Sequence, residues 1–242
     1  LDAYVVITKI PNVFRRIFAE GAFNQAFVPV LSEYKESSDE SEVKVLVSNI
    51  FGVLSSALSL LTLVVLLATP AFIFIFAPGF YSDPIKNEFA TDILRITFPY
   101  LLFVSLVAFS GSIMNTYGKF SVPALTPVFY NLTLVVTAVW IAPLYEVPIY
   151  AIAWGMFVAG CIQLLIQIYP LLKLRLFPSF SFNLNHPGVR KVLYLMIPGV
   201  IAGGVSQLNM LVDTILASFL PTGSPTWLYV SDRLMQLPLG IF

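Results

Sequence analysis

The chain has 242 residues, of which 58% are hydrophobic and 11% are charged, and its mean hydropathy is +0.87. Soluble domains average about 45–50% apolar and about 25% charged residues, so this composition excludes an ordinary soluble domain and predicts a polytopic membrane protein. The 13 basic and 13 acidic residues cancel, which argues against a nucleic-acid partner. A single cysteine, Cys161, and a single histidine, His186, provide neither a disulfide framework nor a metal cluster. No catalytic or phosphate-loop motif occurs, so the sequence predicts neither an enzyme nor a bound cofactor.

Long runs with few or no charges mark the segments that can cross the hydrocarbon core, which takes roughly 20 residues of helix. Between the first two predicted spans we expect an acidic, solvated linker over residues 32–44. The segments predicted to cross the membrane are approximately residues 4–31, 45–76, 93–117, 124–142, 149–172 and 192–220, with a seventh beginning near 227. The sequence therefore predicts an all-α transmembrane bundle of six spans and the start of another.

Lysine and arginine are distributed unequally between the two sets of connecting loops. Loops 32–44, 117–121 and 173–191 hold seven of them, whereas the alternate set holds Lys86 and, at its margin, Arg95. Because cytoplasmic loops carry the positive excess, we predict that the first set faces the cytoplasm. The first span would then enter from outside. Since the chain also begins with leucine and stops within an apolar run, we expect it to be an internal segment of a larger transporter-like protein.

The first predicted span is unusual because it carries Lys9, Arg15, Arg16 and Glu20 at membrane depth. Each charge there costs about 2.5–3.5 kcal/mol even on lenient scales, so such groups normally face a watery cavity and serve a function. Two adjacent arginines indicate an anionic cargo. Phosphate or pyrophosphate suits the guanidinium fork best.

Helical periodicity places most of these polar groups on one face of the first span. Asn12 lies about 60° from Lys9 on this face, and Arg15 lies about 100° away from it. An alternative interpretation is a set of internal ion pairs, such as Arg16 with Glu20, that hold helices together. The residues within the narrow arc are Asp2, Lys9, Arg16 and Glu20.

Two later segments carry further candidate site residues. Asp213 is the only acidic residue in the body of spans two to six, and three roles stay open for it: pairing with an arginine, binding a coupling cation, or lying near a membrane edge. In the last segment, Arg233 could join Arg15 and Arg16 in one basic cavity. It could instead form a local pair with the adjacent Asp232.

Three stretches of the chain resemble a known family. They are PNVFRRIFAEGAFNQAFVPVLSEYK, ITFPYLLFVSLVAFSGSIMNTYGKFSVPALTPVFYN and YVSDRLMQLPLGIF, and in this order they are similar to the MurJ (MviN) lipid II flippases of bacteria. The resemblance implies a MATE-like fold of the MOP exporter superfamily, with 14 transmembrane helices in two lobes. Residues 1–220 would then form the N-terminal lobe from family helix 2 to helix 7. Residues 221–242 would begin the second lobe with helix 8.

The resemblance also implies a function and a site. Such proteins move undecaprenyl-linked disaccharide-pentapeptide outward across the bacterial inner membrane for peptidoglycan synthesis. The expected partners are lipid II, membrane lipids and cell-wall synthesis proteins. The family's cationic central cavity, which holds the lipid II headgroup, matches this chain at Asp2, Lys9, Arg15, Arg16, Glu20 and Arg233, with Asp232 beside the last.

Other functions remain open from the residues alone. Where several relatives are expected to have an acid, three residues after Arg233, this chain has Gln236, which puts any acid-dependent step there in question. A polysaccharide-lipid or drug exporter of the same superfamily is one alternative, although a cation-drug antiporter would need acidic groups in its cavity. The other is a non-transporting membrane scaffold, in which every charge forms a structural pair.

Overall fold

The computed structural model describes residues 2–15, 22–81, 83–220 and 223–241, and all regular structure within them is helical. A π-helical turn at Thr137–Ile141 and a 3₁₀ turn at Ala142–Leu144 follow the eighth helix. The helices in chain order are α1 (Asp2–Arg15), α2 (Ala22–Ser37), α3 (Glu40–Leu67), α4 (Thr69–Phe76), α5 (Pro78–Tyr81), α6 (Pro84–Thr97), α7 (Tyr100–Thr116), α8 (Ser121–Val136), α9 (Pro148–Lys173), α10 (Pro187–Ser218) and α11 (Ser224–Ile241).

The helices follow the predicted spans closely. Within the described residues, four stretches are long and apolar enough to cross a membrane, namely Glu40–Leu67, Pro84–Thr116, Ser121–Leu144 and Pro148–Lys173. The all-α, multi-span prediction is therefore confirmed. The first predicted span corresponds to α1 and α2, and residues 16–21 between them lie outside the described part. The sixth and seventh correspond to α10 and α11.

Helix ends differ from the prediction where charged residues are themselves helical. The acidic segment 32–44 is not a linker, because α2 continues to Ser37 and α3 already begins at Glu40. Glu40 and Glu42 in the first turn of α3 suit the positive end of its dipole. At the end of α2, Lys35 Nζ donates to the carbonyl of Thr116 at 2.8 Å, which ties this end to α7.

The second span contains a break that the run of apolar residues does not reveal. Pro70 lies in the first turn of α4, where its missing N–H costs nothing, and the chain leaves helical geometry at Ala68. The hydroxyl of Thr69 donates to the carbonyl of Val65 at 2.8 Å. The break is therefore locally satisfied and separates α3 from α4.

Two apolar cores hold the bundle together. The first joins α2, α3, α7 and α10, and its centre is the aromatic group of Phe23, Phe27 and Phe109, whose ring centroids lie 5.1–6.1 Å apart. The second joins α1, α3, α4, α6, α7 and α9, where Phe14 packs edge-on against Phe98 at 5.7 Å. Buried aromatic pairs of this kind add about 0.5–1.5 kcal/mol beyond the burial of their area.

Small residues allow two close backbone crossings. Helices α2 and α10 approach so closely that a Cβ on Gly199 would lie 2.8 Å from both Cα and Cβ of Ala22. Across α3 lies an extended segment, residues 176–183, here called the strap. A Cβ on Gly52 would lie 2.6 Å from the carbonyl carbon of Ser181 in the strap. Glycine is thus the residue that both crossings accommodate.

Hydrogen bonds fasten the strap to α3. The amide and hydroxyl of Ser179 both lie 3.2 Å from the hydroxyl oxygen of Ser48. One turn further, the hydroxyl of Ser181 donates to Oδ1 of Asn49 at 2.7 Å. The connection between α9 and α10 is therefore attached to the bundle along its length rather than free in solvent.

Candidate functional site

A cavity of about 830 Å³ lies between α1, α7, α8 and α9, with contributions from α2 and α11. Its wall is mixed, and the polar groups come from every one of these helices. The described polar and aromatic residues that line it are Tyr4, Thr8, Asn12, Arg15, Asn24, Tyr100, Ser112, Asn115, Thr126, Tyr130, Asn131, Gln163, Gln167, Thr226 and Tyr229. A cavity of this size is large enough for a substantial polar ligand.

One face of α1 forms a polar wall. Tyr4, Thr8, Asn12 and Arg15 recur at spacings of four, four and three, which places them on a single helix face. The hydroxyl of Thr8 donates to the carbonyl of Tyr4 at 2.7 Å, and the amide nitrogen of Asn12 donates to the carbonyl of Thr8 at 2.9 Å. These bonds to the preceding turn fix the orientation of both side chains.

The structure brings some of the predicted residues to the cavity and not others. Asn12 and Arg15 line it. Lys9, which the charge pattern placed at the centre of the polar face, is half-buried and is not among the lining residues. The cavity-facing side of α1 is therefore rotated toward Thr8 and Asn12, relative to the face drawn through the charges alone.

Other predicted residues are not tested. Arg16 and Glu20 lie outside the described residues, and so do the side chains of Asp2, Asp232 and Arg233; for these residues the cavity assignment stays a prediction. Asp213 is described, exposed on α10 and not part of the cavity wall, and its three possible roles all remain open.

The charge-based prediction missed the neutral polar residues of α7, α8 and α9. Ser112 of α7 donates to Oδ1 of Asn24 at 2.6 Å, which joins two walls of the cavity. On α9, Gln163 and Gln167 lie one turn apart and both bond to Thr126 of α8. A pair of glutamines four residues apart in an otherwise apolar span was the sequence signal for this wall.

The combination of groups decides what the cavity can bind. Arg15 supplies a permanent positive charge, and the amides and hydroxyls around it supply neutral donors and acceptors. Within the described part of the chain there is no cluster of metal-ligating side chains. The wall thus suits an anionic group attached to a larger hydrogen-bonding body.

Comparisons with known proteins agree with this arrangement. A sequence model of the family described as "Lipid II flippase MurJ" matches residues 1–242. The chain is 42% identical over 248 residues to the probable lipid II flippase MurJ of Haemophilus influenzae, and the match covers 100% of this chain and 49% of that protein. It is 40% identical over 244 residues to the lipid II flippase MurJ of Burkholderia cenocepacia, covering 99% and 47% respectively.

A solved structure shares the fold over the whole chain. The structure of lipid II flippase MurJ in an inward closed conformation superposes with a TM-score of 0.81 at 29% identity, covering 100% of this chain and 49% of its own. The chain therefore spans about half the length of the relatives that it matches.

Proposed function

Because this chain belongs to the MurJ family of lipid II flippases, multi-pass proteins of the bacterial inner membrane, we propose that the full-length protein carrying it is a lipid II transporter. It moves undecaprenyl-pyrophosphate-linked disaccharide-pentapeptide from the cytoplasmic to the periplasmic leaflet by alternating access, for cell-wall biogenesis. The site that performs this transport is the cavity between α1, α7, α8 and α9. Residues 1–220 belong to the first lobe of the transporter, and the second lobe begins in α11.

The observation that carries the proposal is the polar wall of this cavity inside an otherwise apolar bundle. Hydrophobic helices bury polar groups only at a cost, and an arginine at membrane depth is expensive unless it faces water or a partner. Arg15 lines a cavity of about 830 Å³ together with amides and hydroxyls from several helices. A cavity of this composition fits the headgroup of lipid II, whose pyrophosphate is anionic and whose sugars and peptide form hydrogen bonds.

The basic residues act as the pyrophosphate-binding group. Arg15 binds the pyrophosphate with charge-assisted hydrogen bonds, which are about twice as strong as neutral ones, and Arg16 and Arg233 complete the cluster. Arg233 follows Tyr229, which lines the cavity, by four residues in α11, a spacing that shares one helix face. The polyprenyl tail stays in the lipid while the headgroup occupies the cavity.

The test replaces Arg15, Arg16 and Arg233 singly with alanine in the full-length protein. Each variant is scored for membrane abundance, for rescue of a flippase-depleted bacterium and for accumulation of lipid II. We expect normal abundance with failed rescue and accumulated lipid II. Arg95, which is exposed on α6 and does not line the cavity, gives the matched control R95A and should rescue fully.

The same experiment separates the alternatives. A membrane scaffold held together by ion pairs predicts that the alanine variants lose abundance, because a buried charge is left without its partner. Full rescue by all three variants at normal abundance would show that the arginines are dispensable for transport, and the proposal would fall.

A further inference from the structure

Two glutamines on the cavity wall have a chemistry that the arginine cluster does not explain. Gln163 and Gln167 are 5% and 1% exposed, so both are effectively buried in the membrane part of the bundle. Each lines the cavity. Both amides bond to the same residue of the neighbouring helix, Thr126, at 3.0 and 3.2 Å.

The hydrogen-bond network fixes which end of each amide is which. The partner of Gln163 is the backbone carbonyl of Thr126, which only accepts, so the amide nitrogen must face it. The hydroxyl of Thr126 donates its one proton to the carbonyl of Val122 at 2.9 Å. It can therefore only accept from Gln167, whose nitrogen must face it as well. Both amide nitrogens are held by Thr126, and both amide oxygens are turned away from it.

These two amide oxygens lack a hydrogen-bond partner among the described residues. A buried acceptor without a donor is costly, so such a group in a membrane bundle usually has a ligand or an ordered water as its partner. The final torsion of a glutamine side chain has a broad minimum, so a small rotation is enough to turn either oxygen toward a group in the cavity. The wall is therefore missing donors, not charge.

The missing donors identify the class of ligand. Two acceptors one helical turn apart match neighbouring O–H or N–H groups on a sugar or peptide, and they do not match a phosphate, which has only acceptors at neutral pH. A metal cation prefers six or more oxygens with carboxylates among them, which this pair does not supply. The ligand is therefore an uncharged, donor-rich part of the headgroup and not the pyrophosphate.

We propose that Gln163 and Gln167, held in position by Thr126, form a subsite that accepts hydrogen bonds from the glycan or peptide portion of the transported headgroup. This subsite rests on the proposed function and deepens it, because it distinguishes the complete precursor from an undecaprenyl pyrophosphate that lacks sugars and peptide. Arg15 binds what the two lipids share. The glutamine pair binds what only the complete precursor carries.

The test measures the affinity of the purified full-length protein for lipid II and for undecaprenyl pyrophosphate, in sodium-free and in sodium-containing buffer. The variants are Q163M, Q167M and the double variant, in which methionine keeps the length of the side chain and removes the acceptor. For the double variant we expect affinity for lipid II to fall about 10- to 30-fold, as for the loss of two hydrogen bonds. Affinity for undecaprenyl pyrophosphate should stay unchanged, which shows that the cavity is intact.

Gln207 provides the matched control. It is 6% exposed on α10, its amide oxygen also lacks a partner within the described part of the chain, and it does not line the cavity. Q207M removes the same group from a buried glutamine and should leave both affinities unchanged. An equal loss in Q207M would show that the effect comes from folding.

Each other outcome overturns the subsite. Unchanged affinity for both lipids would mean that water satisfies the oxygens, and an equal loss for both would mean a general effect on the cavity. An effect seen only with sodium present would assign the pair to a cation. Wild-type protein that fails to bind lipid II would refute the proposed function itself, whereas tight wild-type binding with unaffected variants refutes the subsite alone.

Discussion

The contact between the strap and α3 allows a prediction whose size follows from the structure. In G52A, the new methyl group would lie 2.6 Å from the carbonyl carbon of Ser181 and 3.1 Å from its nitrogen. Both neighbours are backbone atoms, which cannot rotate away as the end of a side chain can, so the strap must move off the helix. Overpacking of this kind costs about 1–3 kcal/mol.

Moving the strap also weakens its hydrogen bonds to Ser48 and Asn49, each of which contributes about 1 kcal/mol. The total loss expected for G52A is about 2–4 kcal/mol. For a chain of this size, 1 kcal/mol corresponds to roughly 2–4 °C in melting temperature, so the full-length protein in detergent should melt about 5–15 °C below wild type. The measurement is the loss of the monodisperse peak in size-exclusion chromatography after heating.

Gly203 on α10 supplies the control. A Cβ at this position meets nothing within 4 Å, so G203A adds a methyl group to a helix without a clash. Because alanine favours helix by about 0.5–1 kcal/mol over glycine, G203A should melt at or slightly above the wild-type temperature. If G52A melts within 1 °C of wild type, the strap is not packed on α3 as described and the reasoning is refuted.

Two further variants test the local accounts of helix formation and packing. D83A removes the side chain whose Oδ1 accepts from the amides of Ile85 and Lys86 at the start of α6, and it should cost about 0.5–2 kcal/mol in chemical unfolding; no change would mean that water replaces the cap. F109A empties the centre of the aromatic group in the first core, where the side chain is fully buried, and should cost about 3–5 kcal/mol. A cost below 1 kcal/mol for F109A, measured by the same unfolding assay, would show that the neighbouring rings refill the space.

The sequence is informative about the helices because burial in lipid imposes a simple rule. A run such as 45–67 must be helical to satisfy its backbone, whatever its neighbours do. The ends are harder to predict, because Glu40 and Glu42 carry charge and yet belong to α3. Counting charges as breaks shortens helices that extend past the membrane surface. It also conceals the break at Ala68, where no charge changes.

The candidate site is only partly predictable for a different reason. Charges draw attention to α1, and Asn12 and Arg15 do line the cavity, whereas Lys9 does not. Which side of a helix faces a cavity depends on how the helix rotates against its neighbours, and this is set by packing of residues such as Ile7 and Ile10, both buried. Neutral groups such as Gln163 carry little insertion cost, so their presence in a span is a weaker signal than an arginine.

The crossing of α2 and α10 restricts how this part of the sequence can change over evolutionary time. Gly199 and Ala22 are already the two smallest residue types, and they meet at 2.8 Å, so neither position can make room for growth at the other. Most packing faults in a core have a second-site remedy in which a neighbour becomes smaller. This crossing has none, so a genetic screen for suppressors of a G199A defect should return changes elsewhere in the bundle and none at position 22.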